Sequence, residues 1–434
     1  MSNSNERLET VVIGGGQAGL SVSYYLTQLG RDHAVLEQAR QAANAWRNHR
    51  WDSFTLNTPN WQSSLQGGGV PGTSQDGFLT RDEIVTYFER YIADNRLPVR
   101  YGVRVSAVKR DGTDYVVETS DGVLRARNVV VATGLYQTPK IPRLTGKLAP
   151  EIQQIHSDRY RNPAFLREGA VLVVGSAQSG AQIAEELYDN GRKVYLSVSR
   201  SGRVPRRYRG KDINWWSNQL GLYEKTVDEL PSPRAKFGGK PHISGTRGGH
   251  TLNLHQFAAD GVRLVGKVLD IDGTTVRLAR DMHENLANAD QFAANLVGMI
   301  DSYIARMRLN APEEILPRLT DGFEQEEVDE LDLMREGITT VIWATGYSFH
   351  FSMVKLPIFD ADGYPVQQRG VTQYSGLYFV GLPWLHNAKS GLLHGVSEDA
   401  SYIVSEILYR SYELVTGEDR EPHGNLRVEG LSYQ

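Results

Sequence analysis

Cysteine is absent from this chain of 434 residues. Without a thiol the protein can form no disulfide, hold no thiolate metal site and use no cysteine nucleophile. Enzymes that pass electrons through a cysteine pair are therefore excluded. Electrons that reach a cofactor in this protein must leave to oxygen, to a substrate directly or to an external carrier.

The chain also lacks long apolar runs and a strong excess of charge. No stretch approaches the ~18 apolar residues that a membrane-spanning helix needs. The formal net charge is −4, so neither nucleic acid nor an anionic membrane is an expected partner. The first residues, MSNSNERLE, have neither the basic nor the apolar part of a secretory signal. We expect a cytoplasmic protein.

A glycine-rich loop occurs twice, at residues 14–19 and 175–180, each time after an apolar run typical of a buried strand. A helix that opens at such a loop points free backbone N–H groups and its N-terminus at a pyrophosphate. Two loops predict two bound dinucleotides. The loop residues that we expect to bind them are Gly14, Gly16, Gln17, Ala18, Gly19, Gly175, Ala177, Gln178, Ser179 and Gly180.

The residues that end the following strand indicate which nucleotide each loop holds. Glu37, followed by Gln38, can accept hydrogen bonds from ribose hydroxyls and repels a 2′-phosphate. The second copy has Ser199 and Arg200 there, which suit a 2′-phosphate because arginine forms bidentate charge-assisted pairs. The sequence therefore predicts FAD in the first loop and NADPH in the second. A glycine turn can be purely structural. Two copies, each followed by a strand that ends in residues suited to a particular nucleotide, favour nucleotide binding.

The order of the segments predicts one domain interrupted by another. Residues 1–163 and 341–434 are expected to form a discontinuous FAD-binding domain. Residues 164–340 are expected to form the NADPH-binding domain, with a helical insert at about 281–307. Both are predicted to be doubly wound, Rossmann-like α/β domains. The segments at 130–134 and 341–346 both end in Ala-Thr-Gly, where the chain would cross between the domains.

These motifs resemble the class B flavin-dependent monooxygenases, on the branch of flavin-containing monooxygenases and bacterial relatives similar to plant YUCCA proteins. The resemblance covers essentially the whole chain and includes the stretch at 390–395. Only half of this family's interdomain signature is present. His156 and Tyr160 fit it, whereas Pro150 and Ile152 stand where Phe and Gly are typical.

The resemblance implies a reaction. NADPH reduces FAD, the reduced flavin reacts with O2, and a C4a-(hydro)peroxyflavin transfers one oxygen atom to a nitrogen, sulfur or carbonyl group of a small organic substrate. It also implies that Asn57 is catalytic, beside the reacting edge of the flavin, although an asparagine there could simply cap an irregular loop. Further cofactor contacts that it implies are Trp46, Arg47, Thr133, Gly134, Ala344, Thr345, Gly346, Tyr347, Gly391 and Leu392.

Several points stay open at this stage. Trp46 could equally belong to the core, and of the six cations at 200–211 one or two would clamp the 2′-phosphate while the rest are solvated. The histidines show no metal-ligand spacing, so no metal is expected. Two other functions are also compatible with the sequence: an NADPH oxidase or dehydrogenase without a stable peroxyflavin, and a slow redox-sensing flavoprotein. The substrate is not indicated, and a homodimer is left open.

Overall fold

The computed structural model describes residues 6–239 and 241–416. Its strands, in chain order, are β1 (Glu6–Ile13), β2 (His33–Glu37), β3 (Val99–Tyr101), β4 (Val105–Asp111), β5 (Asp114–Thr119), β6 (Gly122–Val131), β7 (Thr138–Pro139), β8 (Gln153–His156), β9 (Ala170–Val174), β10 (Val194–Ser197), β11 (Arg207–Tyr208), β12 (Lys211–Asp212), β13 (Arg263–Val265), β14 (Val268–Asp272), β15 (Thr275–Leu278), β16 (Glu330–Asp332), β17 (Ile338–Trp343), β18 (Tyr347–Ser348) and β19 (Leu377–Phe379).

The α-helices follow the same chain order. They are α1 (Gln17–Gln28), α2 (Asn44–Asn48), α3 (Arg81–Asp94), α4 (Gln178–Asp189), α5 (Ile213–Gln219), α6 (Leu254–Ala259), α7 (Met282–Met307), α8 (Asp321–Glu324) and α9 (Leu393–Thr416). Short 3-10 helices lie at Asn60–Gln62, Arg143–Lys147, Pro163–Phe165, Val227–Glu229, Pro233–Phe237 and Thr246–Gly248.

The first sheet has the order β3-β2-β1-β6-β5-β4, and β19 pairs with the C-terminal part of β6. Its pairs β3·β2, β2·β1, β1·β6 and β6·β19 are parallel, whereas β4, β5 and β6 form an antiparallel meander. Parallel strands covered on both faces are apolar along their length. The register sets Ile13 opposite Leu36, which brings the first glycine loop beside Glu37.

The second sheet contains five parallel strands in the order β13-β10-β9-β17-β8. All five residues of the central strand β9 are buried, as expected for a strand with helices on both faces. The chain reaches this sheet after β7 and leaves it before β18, and these two short strands pair antiparallel. The predicted fold class, two nested Rossmann-like α/β domains, is confirmed.

The limits of the two domains stay a prediction, but the pairings refine where the chain crosses. The sequence division put residues 153–156 with the first domain, whereas β8 pairs with β17 at the edge of the second sheet. This strand was hard to recognise because it reads Gln-Gln-Ile-His, and only its last residue is buried.

The helical insert forms a single helix, α7, of 26 residues. Its buried face, which includes Leu296, Ile300 and Ile304, packs in one cluster with Trp216 and Ile243. Asp290 of α7 also forms an ion pair with Arg203. The insert therefore supports the segment that follows β10.

No helix in the described ranges is both long enough and apolar enough to cross a lipid bilayer.

Candidate cofactor and active site

The first glycine loop is built by close approach of backbone atoms. Gly14 has a φ of +108°, and a Cβ there would lie 2.7 Å from the carbonyl oxygen of Ala132. A Cβ on Gly19 would lie 1.9 Å from the carbonyl oxygen of Gly14. Gly16, which begins α1, is exposed and has no atom within 4 Å of the place of a Cβ. The loop is therefore closed towards the sheet and open where a phosphate would sit.

The second loop repeats this geometry. Gly175 has a φ of +102°, and a Cβ there would lie 2.8 Å from the carbonyl oxygen of Ala344. A Cβ on Gly180 would lie 1.8 Å from the carbonyl oxygen of Gly175. Ala132 and Ala344 are the alanines of the two Ala-Thr-Gly segments, so each segment forms the floor of one loop. Ala177 begins α4 where Gly16 begins α1, and it is half-buried.

The strand ends differ in charge, as the sequence predicts. The Glu37 carboxylate accepts hydrogen bonds from the backbone N–H groups of Gly15 and Ala39, both at 2.8 Å. In the second sheet Ser199 and Ser176 replace this contact: each backbone N–H donates to the hydroxyl of the other, at 2.9 and 3.2 Å. Of the two contacts described, the one beside the first loop is made by a carboxylate and the one beside the second loop by two hydroxyls.

The structure separates Arg200 from the cations that follow it. Its side chain is exposed and has no hydrogen bond or ion pair to any described residue. The other five are engaged: Arg203 with Asp290, Arg206 with Asp212, Arg207 with the carbonyls of Gly248 and Gly249, Arg209 with Asp301, and Lys211 with the ring of Trp215. The expectation that the remaining cations are solvated is wrong for Arg206 above all, since this residue is only 2% exposed.

Two residues of the predicted NADPH-binding domain, Gln182 and Arg206, form hydrogen bonds with Asn57. Gln182, on α4, donates from Nε2 to the side-chain oxygen of Asn57 at 3.1 Å. Arg206 donates from Nη1 to the Asn57 main-chain carbonyl at 2.7 Å. The 3-10 helix nearby begins after Pro59, and no side chain caps it. Asn57 is therefore not a loop cap.

Gln17 and Gln178 occupy the same position in the two glycine loops, and both contact main-chain atoms of the protein. Gln17 donates to the carbonyl oxygen of Gly391 at 2.9 Å, which brings the N-termini of α1 and α9 together. Gln178 donates to the carbonyl of Ile243 and accepts from its N–H at 3.1 Å. The main-chain N–H groups at the helix starts remain the donors that a phosphate would meet. A role of these glutamines and of Gly391 and Leu392 in cofactor binding stays a prediction.

The segment after β2 places Trp46 and Arg47 against the first domain's core. Trp46 is half-buried, with its ring 5.8 Å from that of Phe54 and the guanidinium of Arg50 5.4 Å from its centre. Arg47 forms an ion pair with Glu89 of α3 at 2.5 Å. The packing of Trp46 agrees with a core role and leaves a flavin contact as a prediction. Of the remaining predicted residues, Gln38 is exposed after β2, and Ala18 and Ser179 lie in the first turns of α1 and α4.

The two crossings are tied together around His156. Its Nε2–H donates to the carbonyl of Gly346 at 2.9 Å, while Nδ1 accepts from the N–H of Asp158 at 3.1 Å. Burial lowers the pKa of His156, which favours the neutral ring that these two bonds require. The ring of Tyr347 packs edge-on against His156 at 5.3 Å. At the other crossing Gln137 donates to Thr133 Oγ1 and to the carbonyl of Gly134. Thr345 connects the two crossings, because its hydroxyl donates to the carbonyl of Lys140.

Three residues near Asn57 were not selected from the sequence as part of its setting: Gln182, Arg206 and Gly245. Gln182 could have been noticed, because it is a polar residue on the buried face of an amphipathic helix, one turn after Gln178. A Cβ on Gly245 would lie 1.8 Å from the carbonyl oxygen of Leu56. Nothing in the sequence marks that contact. Within the described residues no three His, Asp or Glu side chains are grouped so that they could hold a metal ion.

Comparison with known proteins agrees with this architecture. A family described as pyridine nucleotide-disulphide oxidoreductase matches residues 11–219. An oxidoreductase named CzcO-like from Geobacillus kaustophilus is 34% identical over 403 residues, which cover 92% of this chain and 98% of that protein. The chain belongs to the CzcO-like oxidoreductase family. The prediction that it is an oxidoreductase is confirmed.

Two further comparisons bear on the resemblance to monooxygenases. Indole-3-pyruvate monooxygenase YUCCA4 from Oryza sativa is 25% identical over 430 residues, which cover 93% of this chain and 88% of that protein. The structure of a flavin-containing monooxygenase from Stenotrophomonas maltophilia superimposes with a TM-score of 0.64 at 22% identity, over 94% of this chain and 99% of that one. The resemblance to class B flavin-dependent monooxygenases is confirmed, and the fold is that of flavoproteins that bind two dinucleotides.

Proposed function

We propose that this CzcO-like oxidoreductase is an FAD- and NADPH-dependent monooxygenase that inserts one oxygen atom of O2 into a small organic substrate. The observation that carries the proposal is the pair of glycine loops with the same geometry, of which the first is contacted by a carboxylate and the second by two hydroxyls. The resemblance to class B flavin-dependent monooxygenases agrees with the proposal, because that resemblance implies the same two cofactors.

Each loop fits its cofactor by its chemistry. The space at Gly16 and the N-terminus of α1 suit the pyrophosphate of FAD, and the Glu37 oxygens can each accept a further hydrogen bond from a ribose hydroxyl. At the second loop Ser199 and the unpaired Arg200 suit the 2′-phosphate of NADPH. The flavin, when bound, supplies the redox and oxygen chemistry. The chain binds and orients both nucleotides and excludes water.

Asn57 is the residue proposed to touch the reacting centre. It follows Leu56, which is buried, and it is half-buried itself between the first sheet's loops and α4. An amide can donate and accept hydrogen bonds without a change of charge, which suits a group beside a flavin that is reduced and reoxidised. We further propose a cytoplasmic location.

The experiment is a stepwise reduction and reoxidation of the purified protein. Bound FAD should lose its yellow colour with NADPH in the absence of air, and more slowly with NADH. Air should then be admitted with a panel of amines, sulfides and ketones while peroxide is measured. Oxygenated product without excess peroxide supports a monooxygenase. Stoichiometric peroxide for every compound would instead indicate the NADPH oxidase, and very slow bleaching the redox sensor. Colourless protein that takes up no FAD would refute the proposal.

A further inference from the structure

Asn57 belongs to the predicted FAD-binding domain, but three residues of the predicted NADPH-binding domain converge on it or on the residue before it. Gln182 binds its side-chain oxygen, Arg206 binds its main-chain carbonyl, and Gly245 packs against the preceding carbonyl, that of Leu56. No described residue bonds to the amide nitrogen of Asn57. The oxygen is thus engaged and the nitrogen is the free end.

The contact from Arg206 is made by a buried ion pair. Arg206 Nε donates to Asp212 Oδ2 at 2.8 Å, Nη2 donates to the same oxygen, and the guanidinium lies 4.5 Å from the ring centre of Phe78. Burial lowers the pKa of Arg206, and the charge of Asp212 opposes this shift. Buried ion pairs are often no more stabilising than apolar residues of similar size. Stability alone therefore does not account for this ion pair, and its observed effect is to hold the Arg206 guanidinium where Nη1 binds the Asn57 carbonyl.

The contact from Gln182 is equally specific. This side chain is only 5% exposed, and its Oε1 has no hydrogen-bond partner in the described residues, while Nε2 is used on Asn57. A buried amide with an unsatisfied oxygen carries a desolvation cost that an apolar residue would avoid. Its donor therefore serves to orient the Asn57 amide.

The same contacts connect Asn57 to the second glycine loop. Gln182 is one helical turn after Gln178, which binds both the N–H and the carbonyl of Ile243. Ser244 follows, and its carbonyl lies 3.5 Å from Arg206 Nη1. Gly245 is the next residue. One short segment therefore contacts the start of α4, Arg206 and the backbone before Asn57.

We infer that Gln182 and Arg206 are positioning residues that hold Asn57 with its amide nitrogen presented to the flavin, so that Asn57 acts there as a hydrogen-bond donor. The inference rests on the proposed function for the flavin. The contacts of Gln182 and Arg206 with Asn57 are observed in this chain and do not depend on the proposed function. They couple the nucleotide-binding helix α4 to the orientation of a residue in the first domain.

The first test measures the contact without any turnover. Asn57→Ala, Gln182→Ala and the double variant are unfolded thermally as purified. Two side chains that bind each other share one interaction, so the double variant should unfold at the temperature of the more affected single variant. Fully additive shifts would overturn the inference, and this result does not depend on whether the protein is a monooxygenase.

The second test uses coupling of NADPH oxidation to product. Gln182→Glu keeps an acceptor but removes the donor. It should therefore release several-fold more peroxide per NADPH than wild type, and Gln182→Ala and Asn57→Ala should do the same. We expect kcat to fall about tenfold with little change of KM for NADPH. Glu186→Gln, on the same helix and bound to Ser53 and Tyr160, is the control and should behave as wild type. Full coupling in Gln182→Glu would mean that Asn57 presents its oxygen and would refute the inference.

A matched pair of variants tests the arginine. Arg206 binds Asp212 through Nε and Nη2 and the Asn57 carbonyl through Nη1, and a lysine ammonium does not reproduce this planar fork. Arg206→Lys should therefore uncouple the reaction. Arg207→Lys, at an exposed neighbour whose partners among the described residues are two loop carbonyls, should not. Equal coupling in both variants would remove Arg206 from the inference. A wild-type protein that NADPH cannot reduce would refute the proposed function, and the unfolding test would still decide the contact.

Discussion

At the residue scale, this protein separates side chains that look alike in the sequence. Six cations stand between residues 200 and 211, and the sequence favours Arg200 by its place just after a strand. Burial and partners agree: Arg206 is buried and ion-paired, whereas Arg200, three residues after β10, is exposed with no partner among the described residues. A cation that is to bind an incoming phosphate must be free of other acceptors.

Arg200→Ala should therefore weaken NADPH binding far more than NADH binding. Loss of a bidentate charge-assisted contact to the 2′-phosphate is expected to raise the dissociation constant for NADPH by about tenfold or more. Titration of the flavin's bleaching with each nucleotide measures this. Arg207→Ala serves as the control, and an equal loss of both nucleotides in Arg200→Ala would contradict the assignment.

The glycines of the two loops make a second prediction at this scale. A methyl group on Gly19 or Gly180 would lie within 2 Å of the carbonyl oxygen of Gly14 or Gly175. We expect Gly19→Ala to be purified with little FAD. Gly180→Ala should retain FAD but lose NADPH affinity by at least about tenfold. Flavin absorbance after gel filtration and nucleotide titration measure the two effects, and loss of FAD from both variants would show that the loops are not independent.

At the scale of elements, the insert helix α7 acts as a support rather than an isolated addition. One face of the helix contributes Leu296, Ile300 and Ile304 to the cluster around Trp216, and Phe292 and Met299, at the margin of this face, are exposed. What the structure adds is that α7 backs the segment from which Arg206 reaches Asn57.

Ile300→Ala should lower the free energy of unfolding by about 2–5 kcal/mol, because it leaves a cavity beneath α7. Ile300 is fully buried, whereas Met299 is 42% exposed, so Met299→Ala should change the free energy by less than about 0.5 kcal/mol. Urea unfolding of both variants makes the comparison. Similar values for the two would mean that α7 is not packed as described.

At the scale of the whole molecule, buried histidines predict how stability depends on pH. Burial lowers the pKa of His33 and His156, and it lowers the pKa of His242 to about 4, aided by the nearby charge of Arg203. Such a ring takes up a proton more readily in the unfolded chain than in the folded one. Stability is therefore complete above the ordinary histidine pKa of about 6.5 and is lost as the pH falls from there towards 4.

His242→Leu should remove a large part of this dependence. The contribution of His242 is on the order of 3 kcal/mol between pH 7 and 4. Neither ring nitrogen of His242 makes a hydrogen bond of good geometry in the described residues, and the Leu252 backbone affects the ring less than burial does, so the apolar replacement removes no strong bond. Between pH 7 and 4 the free energy of unfolding should fall by about 3 kcal/mol more in the wild type than in His242→Leu. Curves that stay parallel would show that His242 is not the group responsible.

The sequence by itself determined the two glycine loops, the acid at one strand end and its absence at the other, the nested order of the domains and the lack of any thiol chemistry. The loops and strand ends depend on residues that are neighbours along the chain, the nested order depends on the order of such segments, and the lack of thiol chemistry depends on composition alone. Only the tertiary structure decided which arginine is free, that β8 joins the second sheet, and that Gln182 and Arg206 meet Asn57. The pairing of β8 with β17 and the contacts of Asn57 join residues more than a hundred positions apart, so they depend on how the parts of the chain pack against each other.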